Sequence, residues 1–451
     1  MTSRYDAIVI GASVNGLAAA ALLARAGAQV LLLESEFTPR EAPGALYALD
    51  PALVDALDLA RFGLRFKARD LPLTGIGDGA APLKLGRNVR VTARDLAGAS
   101  DADAKAWTPF HREMFALGRQ LRRWWWHAHQ GGRPEDMLDG KAREAFNRLA
   151  YTGADAFLAA RFESDILRAL LLFDAVAGGF SPSEPGSALA LVWRGAQEMA
   201  GLQGAAALPA CGSLTAALTR AGNGADLRMA APVAAILVRD GEASGVALAD
   251  GSEIQGRTVL SAISSLSTES LLGDPLQDAA RTGEVQLVFR TRAMPPWPEP
   301  FADGRAIIAD TASVYADAHE AARAGNLPRE LPLECVAGQD ELVVTARPVP
   351  VSPRVGWEAL KPLLAAQIVK RINCRVPGFA RAVSAVEFRL PRPQPRAGLA
   401  QLLAPPAARL KTRLPNLYLC GRDSEPVPSV SGRAGRMAAA LAARALRGEA
   451  H

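Results

Sequence analysis

Five residues near the start of the chain have the types and spacing of a phosphate- and ribose-binding site. Gly11, Ser13, Asn15 and Gly16 stand in G-A-S-V-N-G, and Glu34 lies downstream of them. The surrounding pattern supplies the elements that would position them. Tyr5–Ile10 (Y-D-A-I-V-I) is a β-branched apolar run that predicts a buried parallel strand. Leu17–Ala26 is an Ala/Leu-rich helix that Gly27 stops as a C′ glycine. Ala28–Leu33 is a second apolar strand ending at Glu34. In such a strand–turn–helix–strand unit, Gly11 permits the tight turn. The helix N-terminus then offers free N–H groups and a positive dipole end to a pyrophosphate, and Gly16 lets the helix pack close to the strand. Ser13 stands where the dinucleotide fingerprint has its second glycine, and its hydroxyl could bond a phosphate oxygen. Glu34 can accept hydrogen bonds from both ribose hydroxyls of an adenosine, and its charge disfavours a 2′-phosphate, so NADP fits poorly. A second fingerprint, as two-Rossmann enzymes driven by pyridine nucleotides would show, is missing from the sequence.

The chain has 451 residues, enough for two domains or one large interleaved fold. Its 49% hydrophobic and 22% charged residues exclude a disordered chain, a collagen-like chain and a small disulfide scaffold. The net charge of +5 is scattered rather than clustered, so no nucleic-acid partner is expected. Cys211, Cys335, Cys374 and Cys420 form no C-x-x-C pair and read as reduced thiols in a reducing, cytoplasmic compartment. His and Cys do not cluster, so no metal site is expected. Residues 1–6 run straight into the first strand without the h-region of a signal peptide. No apolar stretch reaches the roughly 18 residues of a membrane span.

Arg122-Arg123-Trp124-Trp125-Trp126-His127 is the most unusual local stretch. It admits a peripheral membrane-interface or cavity-mouth element, or core packing with a dimer contact. His127 and His129 read as an exposed polar pair, and His111 and His319 show no triad arrangement.

The opening segment, with Asn15-Gly16-Leu17 followed by A-A-A-L-L-A-R-A-G, resembles the phytoene-desaturase-like FAD-dependent oxidoreductases. Within them it is similar to the branch of pyridine nucleotide-disulfide oxidoreductase domain-containing protein 2. Phe180–Ser187, the helix at Ala188–Met199 and the helix at Gly212–Arg220 resemble the family's return to its cofactor domain. Leu227–Ile263 reads as a β-meander with D-G turns at Asp240-Gly241 and Asp250-Gly251. The resemblance puts the backbone of Val233 against the adenine edge. Asn416–Arg436 (N-L-Y-L-C-G-R-D-S-E-P-V-P-S-V-S-G-R-A-G-R) is similar to the closing FAD motif. It implies that Gly421, Arg422, Asp423, Val430 and Gly432 approach the cofactor. The helix at Ala434–Leu446 would then point its N-terminus at the flavin's pyrimidine end. Three glycine sites of the family are changed. Only Gly44 follows Glu34 where the family has a Gly-Gly pair, Val427-Pro428-Ser429 follow Pro426, and Ala210-Cys211-Gly212 precede the returning helix.

The resulting expectation is an α/β fold: a Rossmann-type, glutathione-reductase-like FAD-binding domain interleaved with an α+β substrate domain. The cofactor domain would be discontinuous (1–70, 200–265 and 400–451), with 71–199 and 266–399 forming the substrate domain. Residues 102–174 read as mostly helical. Runs such as Val285–Phe289 and Glu341–Thr345 suggest a sheet flooring the cavity, and Trp357–Ile372 an amphipathic helix. The resemblance implies FAD and hydride removal from a C–H bond of a small apolar substrate, isoprenoid or lipid-like. Two readings stay beside it. One is a flavin-free lipid-binding module or non-catalytic subunit, as Rab GDP-dissociation inhibitors suggest, in a homodimer or with a partner subunit. The other is an amine oxidase, which would place an aromatic pair or a lysine near the flavin. No catalytic residue stands out.

Overall fold

A computed structural model of the chain describes residues 4–37, 46, 48–68, 72–77, 82–126, 133–201, 208–211, 213–275, 279–296, 304–338, 340–396 and 398–449. The opening strand, Arg4–Ile10, is buried along most of its length and pairs in parallel with Val30–Leu33 on one side and Glu253–Ser261 on the other. Asp226–Arg228 extends the sheet beyond Val30–Leu33, and Leu417–Leu419 pairs with the far end of Glu253–Ser261, both in parallel. Segments far apart in sequence thus form one parallel sheet. Glu242–Leu248 and Val233–Arg239 continue it as an antiparallel meander. The two expected D-G turns close this meander, with Asp240, Gly241 and Gly251 at positive φ as tight turns require.

The opening helix runs Val14–Arg25, three residues earlier than the hydrophobic pattern suggests, because Ser13 caps it. Almost every residue from Val14 to Leu23 is buried, the mark of a helix covered on all sides. One side faces the sheet and the other the closing helix, Arg433–Leu446. Small residues make this possible. A Cβ at Gly16 would stand 1.9 Å from the Gly11 carbonyl oxygen, and one at Gly435 would stand 2.0 Å from that of Asn15. Both are closer than atoms can pack, so the backbones meet directly. Buried Asp50 ties the closing helix down through Arg436 at 2.7 Å, while capping Pro51–Leu57 at its own N-terminus.

A second sheet runs in the order Val383–Arg389, Thr282–Thr291, Glu341–Pro350, Leu333–Ala337, Arg305–Ile308, Leu73–Ile76, Leu83–Leu85. Alternate residues such as Val285, Leu287 and Phe289 face a core closed by Leu364, Ile368 and Ile372 of the helix Trp357–Arg375. The described residues of the 102–174 stretch are mostly helical as expected, led by the helix Asp101–Trp126. Trp107, Phe110, Leu117, Leu121 and Trp124 recur at helical spacing and are buried. Trp124 therefore belongs to the core, 5.8 Å from the ring of Trp193. The side chains of Trp125 and Trp126, and the pair His127 and His129, lie outside the described residues. Among the described residues no helix is long and apolar enough to cross a membrane.

A buried ion cluster locks the helical layer to the second sheet. Arg305, 4% exposed, bonds Asp174 through both terminal nitrogens (2.7 and 3.1 Å) and Glu334 through Nε at 2.6 Å. Burial works against the Asp174 charge, but Arg305 and Arg194 outweigh it and hold the carboxyl well below its usual range.

The backbone contact at the closing helix yields a paired prediction. Gly435→Ala should cost about 3 kcal/mol, since the added methyl meets rigid backbone. Gly195→Ala, inside the helix Ser187–Ala200 with nothing within 4 Å of its Cβ, should be neutral or stabilising by up to about 1 kcal/mol. Chemical denaturation of both variants reads the contrast. Equal stabilities would contradict the packing described.

Candidate functional site

A cleft of about 1700 Å³, counting the solvent space at its mouth, lies between the two sheets. A side lobe of about 760 Å³ shares Gly11, Glu34, Ile263 and Arg392 with it. The two form one path along the C-terminal edge of the parallel strands, where open α/β sheets bind ligands.

At the lobe end, Glu34 sits 7% exposed just beyond the second strand. Its Oε2 accepts the Ala12 N–H at 2.7 Å, and its Oε1 accepts from the Glu36 N–H and the Ser35 hydroxyl at 3.1 Å. A carboxylate has about four lone-pair sites, so acceptor capacity remains toward the lobe. Val233, at the start of its strand, lines the same lobe with Leu271 and Pro232. Gly11, Ser13, Val14 and Asn15 bring the opening turn and the positive end of its helix to the main cleft. Gly11 has φ +95°, which a side chain would strain.

Ser13 departs from expectation. Its hydroxyl accepts the Gly16 N–H and donates to the Ala262 carbonyl, each at 3.3 Å. The single proton is spent on the protein, so the serine shapes the turn rather than offering a donor to phosphate. Asn15 is buried and accepts the Gly435 N–H at 3.4 Å, joining the opening and closing helices.

The closing motif supplies the opposite wall. Arg422, Asp423 and the stretch from Pro428 to Ser431, Val430 included, line the cleft. Gly16, Gly421 and Gly432 do not line it; they set the backbone that does. A Cβ at Gly421 would stand 2.2 Å from the Ile263 carbonyl oxygen, and Gly432 has φ +71°. Asp423 accepts from the Ser265 N–H (2.8 Å) and hydroxyl (2.6 Å), and burial raises its pKa. Gly44 and Gly212 lie outside the described residues.

Several residues of the site carry no mark in the motif reading. Buried Glu425 accepts from the hydroxyls of Ser429 and Ser431 and from the Gln197 amide at 2.7 Å. That amide also donates to the Val427 carbonyl at 2.8 Å, so Gln197 holds the proline-containing loop from a helix far away in sequence. The Glu425–Ser429–Ser431 spacing hints at such a network, whereas nothing near Gln197 does. The second sheet contributes Glu284, Gln286, Arg347 and Arg389 to the cleft floor. Arg422 reaches Glu284 at 2.7 Å, and Arg347 stands 3.6 Å from it. Burial opposes ionisation of Glu284, but Arg422 and Arg347 outweigh it and hold its carboxyl at about 2. Among the described residues lining the cleft, none is aromatic and none is lysine.

The architecture is that of the FAD-binding Rossmann-type oxidoreductases. Putrescine oxidase with putrescine bound superposes with a TM-score of 0.61 at 16% identity, covering 99% of this chain and 100% of that one. Cyclohexylamine oxidase from Brevibacterium oxydans superposes at 0.57 and 16% identity, covering 98% and 99%. In sequence, the chain is similar to pyridine nucleotide-disulfide oxidoreductase domain-containing protein 2 of Mus musculus, 27% identical over 550 aligned positions that cover 98% of this chain and 94% of that protein. The similarity to the branch of pyridine nucleotide-disulfide oxidoreductase domain-containing protein 2, read from the motifs, is thereby borne out. No family model matches the chain.

The Glu284 charge has a pH signature. A carboxyl held at about 2 in the fold contributes stability that is present above its unfolded value of roughly 4.3 and lost as pH falls toward 2. Glu284→Gln should therefore lower the melting temperature by a constant amount above about pH 5, and the gap should narrow as pH falls toward about 3. A gap that does not change with pH would contradict this.

Proposed function

We propose that the protein is an FAD-dependent oxidoreductase of the dehydrogenase type. The observation that carries this is the continuous path from the Glu34–Val233 lobe across the opening helix N-terminus to the wall built by the closing motif. The residues present fit the group. Glu34 keeps about one acceptor site for a ribose hydroxyl, the side-chain-free turn at Gly11 leaves room for a pyrophosphate, and the helix end favours its charge. The fit holds although Ser13 replaces a glycine, because that side chain turns toward Ala262. When bound, FAD supplies hydride acceptance from a substrate C–H bond.

The chain's own residues bind and orient. Glu34 and Val233 would hold the adenosine end, and the N-terminus of Val14–Arg25 the phosphates. The Gln197–Glu425–Ser431 network fixes the loop ahead of the closing helix, whose N-terminal dipole faces the same side. Arg305 and Asp174 anchor the chain that leads to Gly178 and Gly179, which line the cleft. The proposal of an isoprenoid or other lipid-like substrate rests on the resemblance. Val176, Val351 and Leu390 give the cleft apolar surface for such a chain.

Titration of flavin-free protein with FAD, followed by flavin fluorescence, tests the assignment. One FAD should bind per chain, and Glu34→Gln should weaken binding about tenfold or more, the scale of a lost charge-assisted ribose contact. FMN, which has no adenosine, should bind both forms alike. Failure of the wild-type protein to take up FAD would overturn the redox reading and favour a flavin-free lipid-binding module.

A further inference from the structure

The floor of the cleft carries an unusual cation. The strands Thr282–Thr291 and Glu341–Pro350 pair regularly except at one point, where Gly283 opposes Val349 and Val285 opposes Ala346. Glu284 alone therefore faces Arg347 and Pro348 together, a β-bulge with its extra residue in the second strand. Leu342, Val344 and Ala346 point to the core, and Val349 resumes that side. The bulge thus turns both Arg347 and Pro348 toward the cleft, which both line.

Arg347 is 8% exposed. Its guanidinium lies 4.2 Å from the centroid of the Phe173 ring, and its Nε has no hydrogen-bond partner among the described residues. Its ion-pair partner there is Glu284, whose Oε2 stands 3.6 Å away, beyond hydrogen-bond distance, while Oε1 accepts from Arg422 at 2.7 Å. A guanidinium carries five N–H donors, and leaving them unspent in a buried site is costly. Arg305 shows the alternative within the same fold, with donors satisfied by Asp174 and Glu334. Arg389 and Gln286 lie on the same floor, bonded to each other at 3.0 Å, and Arg392 stands at the junction with the lobe. Arg389 is also paired with Glu387 at 3.0 Å and Arg392 stands 4.0 Å from Glu36, so the floor is rich in planar donors and Arg347 is its most buried cation.

We propose that Arg347 receives a carboxylate of the substrate, so that the substrate is an organic acid whose anionic group docks on the bulge while its apolar part lies along Val176, Val351 and Leu390. A carboxylate matches the guanidinium fork and satisfies donors that Glu284 leaves open. This assignment rests on the reading of the cleft as the substrate site, but not on the presence of flavin. It makes Arg347 a specificity-determining residue. An isoprenoid acid or fatty acid satisfies it, whereas a hydrocarbon or an amine does not.

Thermal-shift titrations at low ionic strength, on protein with and without FAD, test it. The probes are acetate, benzoate and octanoate, each against its primary amide. At least one acid should stabilise the protein saturably, with its amide binding tenfold or more weaker. Arg347→Met should weaken the acid at least tenfold and leave the amide unchanged. Glu284→Gln, which removes the competing carboxylate, should tighten the acid several-fold, a gain that a damaged fold cannot produce. Acids no better than amides, an unchanged Arg347→Met, or no tightening in Glu284→Gln would overturn the proposal. So would an Arg347→Met variant that loses FAD affinity but keeps the acid, since Arg347 would then serve the cofactor. Acid binding by protein that takes up no FAD would sink the redox reading alone and leave this one standing.

Discussion

The contact on which the rest of the structure depends is made by backbone alone. The opening helix touches its own turn at Gly16 and the closing helix at Gly435, at distances that admit no Cβ. Those two approaches press the helix between the parallel sheet and Arg433–Leu446 and fix where its N-terminus points. The cleft follows from that direction. A tilt of the helix would separate Gly11 from Glu34, whose carboxylate holds the turn through the Ala12 N–H. Glu34, proposed to bind the ribose, is therefore also a strut of the turn proposed to bind the phosphates, so that binding and folding would share one side chain.

Two charge clusters show how the fold divides its electrostatics. Arg305 meets Asp174 and Glu334 at hydrogen-bond distance in the buried space between helix and sheet, so removing one partner would leave an uncompensated buried charge. Around Glu284 the match is incomplete. One carboxylate serves Arg422 and Arg347, and only Arg422 reaches hydrogen-bond distance. The first cluster is closed and structural. The second is open toward the cleft, which is the arrangement a site needs if a ligand is to complete it.

Legibility in the sequence followed the range of the interactions. The strand–turn–helix–strand unit, the D-G meander and the closing motif are local, so their residues report on their own structure. Ser13 shows the limit of that argument: its position was legible, but its hydroxyl bonds Ala262, which only the folded chain brings near. The tryptophan run was ambiguous because three consecutive rings cannot share a helix face. The periodicity through Trp107, Phe110, Leu117 and Leu121 assigns Trp124 to the core. Arg347-Pro348, just past the apolar run Glu341–Thr345, drew no expectation, although a proline that interrupts a ladder is the signal that could have marked the bulge. Its partner Glu284, and the reach of Gln197 to Glu425, depend on contacts far apart in sequence and left no local trace.

The most direct test of the account is a crystal structure of the protein soaked or grown with FAD. The account predicts the adenosine between Glu34 and Val233, the pyrophosphate at the N-terminus of Val14–Arg25, and the ring system in the cleft beside the loop Pro428–Ser431. FAD bound in another orientation, or a lobe and cleft that stay free of it at saturating concentration, would contradict it.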